Sequence, residues 1–236
     1  MIRVLRIRKY TVSAVLLLAL AGLLFRLTDA VTLQIAVSVL VGILAFLAAR
    51  VRKPGSRFPA ARPAAVLLLL SALLLTVSAL TALFSGRWFH AVCDLVCTVC
   101  MALLALSVRS RRAPSFPVCT VLTLALICKL IPSFRAWSVN PHLSDYCFRL
   151  FSLLCAMLVS FHLGGFSLSE GKCRLTVFYC ICGAVFCFMS IADGGLAEAL
   201  AGLAYALFLL FVLWSLMQPG RKRQPVPPQN PELPAQ

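Results

Sequence analysis

Apolar residues in this chain gather into eight runs, 10–25, 31–49, 63–84, 89–108, 116–131, 146–163, 175–192 and 196–217, each about 15 to 22 residues long. A bilayer's hydrocarbon core is about 30 Å thick, so a helix rising about 1.5 Å per residue needs roughly 20 residues to cross it. Most of the runs meet that length, and the fifth is short. Charged turns containing Gly or Pro separate runs such as 31–49 and 63–84, so each reads as its own helix. Composition agrees: 61% of residues are apolar and 12% charged, against about a quarter charged in soluble domains. The expected fold is all-α, a polytopic integral membrane bundle of eight transmembrane helices arranged as four helical hairpins with short loops.

Lysine and arginine set the expected orientation, because cytoplasmic loops carry the excess of both. Arg3, Arg6, Arg8 and Lys9 precede the first run, and Arg50, Arg52, Lys53, Arg57 and Arg62 lie between the second and third. Arg109, Arg111 and Arg112, then Lys172 and Arg174, then Arg221, Lys222 and Arg223 continue the same side. The opposite side holds only Arg26, Arg87, Lys129, Arg135 and Arg149. Both termini are therefore expected in the cytoplasm. The short loops favour a plasma membrane of bacterial type. Trp88 and Trp137 fall near the outer interface and Trp214 near the inner one, as belt residues do.

The first run has the charged start and apolar middle of a signal peptide. No small-x-small cleavage site follows it, only Arg26-Leu27-Thr28-Asp29-Ala30, so it is expected to remain as the first span. Residues 1–217 then form the membrane domain. Residues 218–236 hold six of the 13 prolines and no apolar run, and are expected to be a disordered, proline-rich cytoplasmic tail. The net charge of +15 comes from cations that flank spans, where they hold topology and meet anionic headgroups. No nucleic acid is needed to account for it. The expected partners are the lipid bilayer and a membrane-protein partner or a second copy of the chain.

Similar strings open the four hairpins at Val15, Val66, Val121 and Val177, a spacing of about 55 residues. An acid stands at or just past each outer turn: Asp29, Asp94, Asp145, and Asp193 with Glu198. Internal duplication gives such a pattern, and many transporters are built from repeats. Evenly spaced leucine-rich helices under the positive-inside rule give it too.

Ionisable groups inside a membrane are costly and become functional candidates by default. Asp94 is the deepest, about six residues or roughly 9 Å from the turn near Trp88. It must pair or protonate. Lys129, about one turn from the outer end of its helix, either snorkels to the headgroups or reaches Asp94. Asp94, Lys129 and Glu198 are the candidate ion or substrate pathway. Asp145 and Arg149, four residues apart, have the spacing of a same-face outer ion pair with a structural role. Glu198 shares a face with Gly202 and Ala206, and the small residues Gly195, Ala199, Gly202 and Ala206 mark a tightly packed helix.

Cys93, Cys97 and Cys100 share one helical face, so three thiolates with Asp94, His90 or a neighbouring helix are a candidate soft-metal site. Against this, Cys97-Thr-Val-Cys100 is a lone CxxC inside an apolar helix, and free cysteine there behaves as a small hydrophobe. Packing is the expected role, with no cofactor. Cys180, Cys182 and Cys187 do not share a face, and His90, His142 and His162 fit no simple site. No HExxH, GxSxG or GxxxxGK[ST] motif is present. No proline is expected mid-span; Pro63, Pro114, Pro117 and Pro132 fall at helix ends, and 133–145 is expected to connect two spans as a lid or linker. The expected function is a non-catalytic membrane component or scaffold. The alternatives are a small-solute or ion transporter with an outward polar cluster at Asp94 and Lys129, and a membrane thiol–metal protein using the cysteine face.

Overall fold

The structure is a computed structural model that describes residues 2–28, 31–51, 65–110, 114–138, 143–168, 171–193 and 195–217, with side chains described throughout except at 2–10, 51, 136–138, 143–145 and 193. The helices are α1 (Ile2–Leu27), α2 (Val31–Val51), α3 (Ala65–Phe84), α4 (Trp88–Arg109), α5 (Phe116–Ser138), α6 (Leu143–Ser167), α7 (Cys173–Met189) and α8 (Leu196–Leu216). A short 3-10 turn, Ser190–Asp193, follows α7. Seven of these helices are long and apolar enough to cross a membrane, and α1 adds a shorter apolar stretch, Thr11–Leu27. Hydrocarbon offers no water to bond backbone N–H and C=O, so spanning segments must satisfy those groups internally, as helices do. The chain is a multi-pass helical membrane protein. The tail at 218–236 lies outside the described residues.

Helix neighbours define the architecture. Going round the bundle, α3 packs on α4, α4 on α5, α5 on α6, α6 on α7 and α7 on α8, and α8 returns to α3. Three hairpins thus close a ring of six helices. The first hairpin, α1 with α2, stands outside it and packs chiefly against α7. Surrounded in this way, α7 buries most of its residues and carries small side chains where neighbours come close. A Cβ placed on Gly183 would fall 2.6 Å from Cys155 Cβ and 2.8 Å from Leu209 Cδ1. Cys173, Cys180 and Cys187, two helical turns apart in succession, are all buried along the same helix.

Ring closure between α3 and α8 uses hydroxyls. Ser71 Oγ donates to the Ala204 carbonyl and Ser78 Oγ to the Ala197 carbonyl, both at 2.8 Å. Two donors seven residues apart on α3 meet two acceptors seven apart on α8, in reversed order, so the helices run antiparallel. The α3–α4 turn is set by Gly86, whose φ of +72° suits a residue without a Cβ. The Gly86 N–H bonds Leu83 O and the Arg87 N–H bonds Ala82 O, which closes the end of α3 and projects Arg87 from the turn.

One expectation is corrected here. Pro132 lies inside α5, which continues to Ser138. Proline removes the one N–H that would bond the Cys128 carbonyl four residues back, a loss membrane helices tolerate. Ser133, buried beside it, donates its hydroxyl to the Lys129 carbonyl at 2.8 Å. Because α5 runs to Ser138 and α6 begins at Leu143, most of the stretch 133–145 is helix rather than lid or linker.

Candidate functional site

Four helices of the ring each contribute one polar side chain at a single level: Ser78 from α3, Asp94 from α4, Lys129 from α5 and Tyr205 from α8. The Lys129 ammonium and Asp94 Oδ1 form an ion pair. The Tyr205 hydroxyl donates to the same Oδ1 at 3.3 Å and accepts from Lys129 Nζ at 3.5 Å. The ammonium also stands 5.3 Å from the centre of the Tyr205 ring, within cation–π range. Ser78 Oγ lies 3.0 Å from Asp94 Oδ2. In ring order α5 and α8 face each other, so this cluster bridges the interior of the ring.

Burial is nearly complete: Asp94 is 2% exposed, Lys129 4%, Tyr205 2% and Ser78 1%. A single charge at this depth is costly, and a buried pair persists only where good geometry and further hydrogen bonds offset desolvation. Both carboxylate oxygens have such partners. Lys129 does not snorkel; its stem runs inward to Asp94. A side chain this long reaches either place, and the carboxylate supplies the stronger partner.

Glu198 is elsewhere, in the first turn of α8, where the helix N-terminus favours an acid. Arg87 from the α3–α4 turn bonds its Oε1, and Arg149 from α6 bonds its Oε2. The carboxylate therefore clamps three parts of the ring. It does not join Asp94 and Lys129 in one cluster; the two sites connect through the neighbouring Ala197 carbonyl, which accepts from Ser78. Arg149 thus bonds Glu198, while the Asp145 side chain expected as its partner lies outside the described residues. At the same end of the bundle Arg26 donates to Gln34 Oε1 at 3.0 Å and stands 5.5 Å over the Phe148 ring. Gln34 in turn donates to the Phe25 carbonyl at 3.2 Å. In the small-residue stripe of α8, Gly202 seats against α7 and its 3-10 extension: an added Cβ would lie 3.4 Å from the Cys187 carbonyl and 3.5 Å from Ser190 Oγ.

Cys93, Cys97 and Cys100 are buried, and every described cysteine is a free thiol. Cys97 neighbours the Tyr205 hydroxyl. Among the described residues no group of three or more His, Cys, Asp or Glu side chains is placed to hold a metal ion. His162 stacks on Tyr179, ring centres 5.9 Å apart, and His142 lies outside the described residues. His90 is half-buried on α4, one turn from Asp94 toward Arg87. A cleft of about 400 Å³ between α4 and α5 is lined by Leu95, Val96, Val99, Cys100 and Leu103 on one wall and Pro117, Val118 and Val121 on the other. All of these side chains are apolar or thiol, and none belongs to the Asp94 cluster.

Sequence reasoning missed Tyr205, Ser78 and Arg87 as members of these sites. A signal existed for the first two. Tyr205 is a polar aromatic mid-way along an apolar helix, seven residues from Glu198. Ser71 and Ser78 repeat at the same seven-residue spacing on α3, the interval that keeps one face over two turns. In comparisons with protein-family models, curated proteins and solved structures, nothing matches this chain.

Proposed function

We propose that this protein is a non-catalytic multi-pass membrane component, a scaffold or assembly partner whose polar residues hold a closed helical ring in lipid. The observation that carries this reading is the sealing of the Asp94–Lys129 pair. Both charges are almost without exposed surface, and both carboxylate oxygens are engaged. A polar pathway for a solute would leave at least one of these groups open to water. The charges nearer the membrane surface are engaged as well, with Glu198 held between Arg87 and Arg149. In this reading the chain lies in the plasma membrane with both termini cytoplasmic, which places the α3–α4 turn outside. A second copy or another membrane protein is its partner.

Water access at Asp94 tests the reading. Asp94→Cys is combined with Lys129→Met, so that no unpaired ammonium remains, in a parent carrying Cys93→Ala, Cys97→Ala and Cys100→Ala. A membrane-impermeant thiol reagent is then applied to cells. Labelling no higher than the parent, in a variant of normal abundance, is expected. Labelling well above the parent would show an aqueous path about 9 Å into the bundle, and a small-solute or ion transporter would replace the scaffold.

A further inference from the structure

The cleft between α4 and α5 owes its shape to short side chains. Val96, Val99 and Cys100 on α4 face Pro117, Val118 and Val121 on α5 across about 400 Å³. Valine branches at Cβ and proline closes on its own backbone, so neither reaches far from its helix. Cys100 is buried, while Leu95, Val99, Leu103 and Val121 are exposed, so the cleft opens away from the bundle toward lipid. Beyond it the same helix pair is fastened by Asp94 and Lys129.

Depth limits what can lie there. Val99 stands midway along α4, and Arg109 closes that helix ten residues later, about 15 Å along the axis. One leaflet supplies half of a hydrocarbon core about 30 Å thick. A chain running from the level of Arg109 into the cleft therefore crosses a single leaflet and ends between Val99 and Leu95. At the mouth Arg109 is exposed and has no acidic partner among the described residues. The serines beside it have committed their protons: Ser107 Oγ donates to the Leu103 carbonyl and Ser110 Oγ to the Ser107 carbonyl, both at 2.9 Å. The guanidinium is thus the donor left for an anion, and its fork suits the paired oxygens of a phosphate.

We propose that this cleft holds one acyl chain of an anionic phospholipid whose headgroup phosphate pairs with Arg109. A chain in the cleft touches protein on two sides, whereas the outward faces of α2 and α3 offer only one. In lipid, packing of this kind and headgroup charge are what separate a held lipid from its neighbours. A second copy of the chain is a poorer occupant. A Cβ on Gly164 of α6 would meet Cys119 and Phe116 of α5, so Lys172 and Arg174, which follow α6, lie at the same end of the bundle as Arg109. Two copies side by side in one orientation would bring these cations together, and like charges repel. The proposal does not rest on the scaffold reading, because none of the lining residues belongs to the Asp94 cluster.

Photo-crosslinking of the full chain in phosphatidylcholine nanodiscs tests it, with phosphatidylglycerol bearing a diazirine near the end of one acyl chain as the probe. Peptide mapping should place crosslinks on 95–103 and 117–121 in clear excess over similarly exposed residues elsewhere, such as Ile43 and Leu47 on α2. Val99→Trp and, separately, Val121→Trp should remove that excess, since both positions are exposed and a larger side chain fills the cleft. Leu73→Trp, at an exposed position on α3, should leave it in place. Arg109→Gln should lower the yield from phosphatidylglycerol relative to a phosphatidylcholine probe about fivefold. Arg50→Gln, the same charge change at the end of α2, should not. Crosslinks spread evenly over exposed apolar residues would mean bulk lipid only and would overturn the proposal. So would an excess untouched by both tryptophans, or a headgroup preference unchanged by Arg109→Gln. Dissociation of a dimer by Val99→Trp, read by gel filtration, would seat a second copy in the cleft instead.

Discussion

Asp94 and Lys129 show how differently a charge behaves alone and in company. Removing one member of a buried pair strands the other, and typically costs about 3–5 kcal/mol; replacing both with apolar or neutral groups is often close to neutral. Lys129→Met is therefore expected to reduce the folded fraction sharply, as read by fluorescence-detected gel filtration. Adding Asp94→Asn should recover most of the loss, and a double variant no better than the single would count against the pair as a structural lock. Tyr205→Phe keeps the ring beneath the ammonium and removes only a hydroxyl. Interhelical hydrogen bonds in membranes average about 0.6 kcal/mol and reach about 1.7, so a small fall in thermal stability is expected, well below that of Lys129→Met. The charged half of this cluster was legible in the sequence because an acid and an amine in apolar runs are conspicuous. The neutral half was not. Serine and tyrosine in a span are ordinary, and only the meeting of α3 and α8 gives them a role. The Arg149–Glu198 bond was hidden for a related reason: Glu198 is brought to the guanidinium by a helix 49 residues further along.

At the scale of helices, glycine separates contacts that matter from those that do not. Gly183 on α7 and Gly42 on α2 both lie within apolar helices. A Cβ on Gly183 would sit 2.6 Å from Cys155 Cβ, too close for α6 and α7 to keep their spacing, whereas a Cβ on Gly42 would meet nothing within 4 Å. Overpacking of this kind costs about 1–3 kcal/mol, and a freely placed Gly→Ala in a helix gains about 0.4–1 kcal/mol. Gly183→Ala should accordingly lower the melting temperature in detergent and Gly42→Ala should leave it level or raise it. Cys155→Gly added to Gly183→Ala exchanges bulk across the contact and should restore part of the loss. Equal effects at the two glycines would mean that α6 and α7 do not approach as closely as described. The spans themselves were plain from the apolar runs, because length and hydropathy are local properties. The end of α5 was not, since proline ends most helices but is tolerated in membrane helices.

Four evenly spaced hairpins look equivalent along the chain, and in the molecule they are not. Hairpins two to four close the ring, while the first leans on it from outside through α7. Nothing in a periodic pattern distinguishes these roles, because ring closure joins α3 to α8 across 133 residues, from Ser71 to Ala204. The distinction sets an order of importance for truncation. Loss of residues 1–64 removes a whole hairpin, so α3 still enters the membrane from the same side, and every side chain of the Asp94 and Glu198 sites remains. What it loses is packing on α7, including the contact between Gly22 and Met189. Loss of α8 removes Tyr205, both serine-bonded carbonyls and Glu198 together, leaving Asp94 with fewer partners and Arg87 and Arg149 without their shared carboxylate. In lipid there is no water inside to take over those bonds. The chain ending at residue 194 is therefore expected to be far less abundant and less monodisperse than the chain beginning at residue 65, when both are expressed with the same tag and compared by gel filtration. The reverse ranking would show that the first hairpin, and not the α3–α8 seam, holds this bundle together.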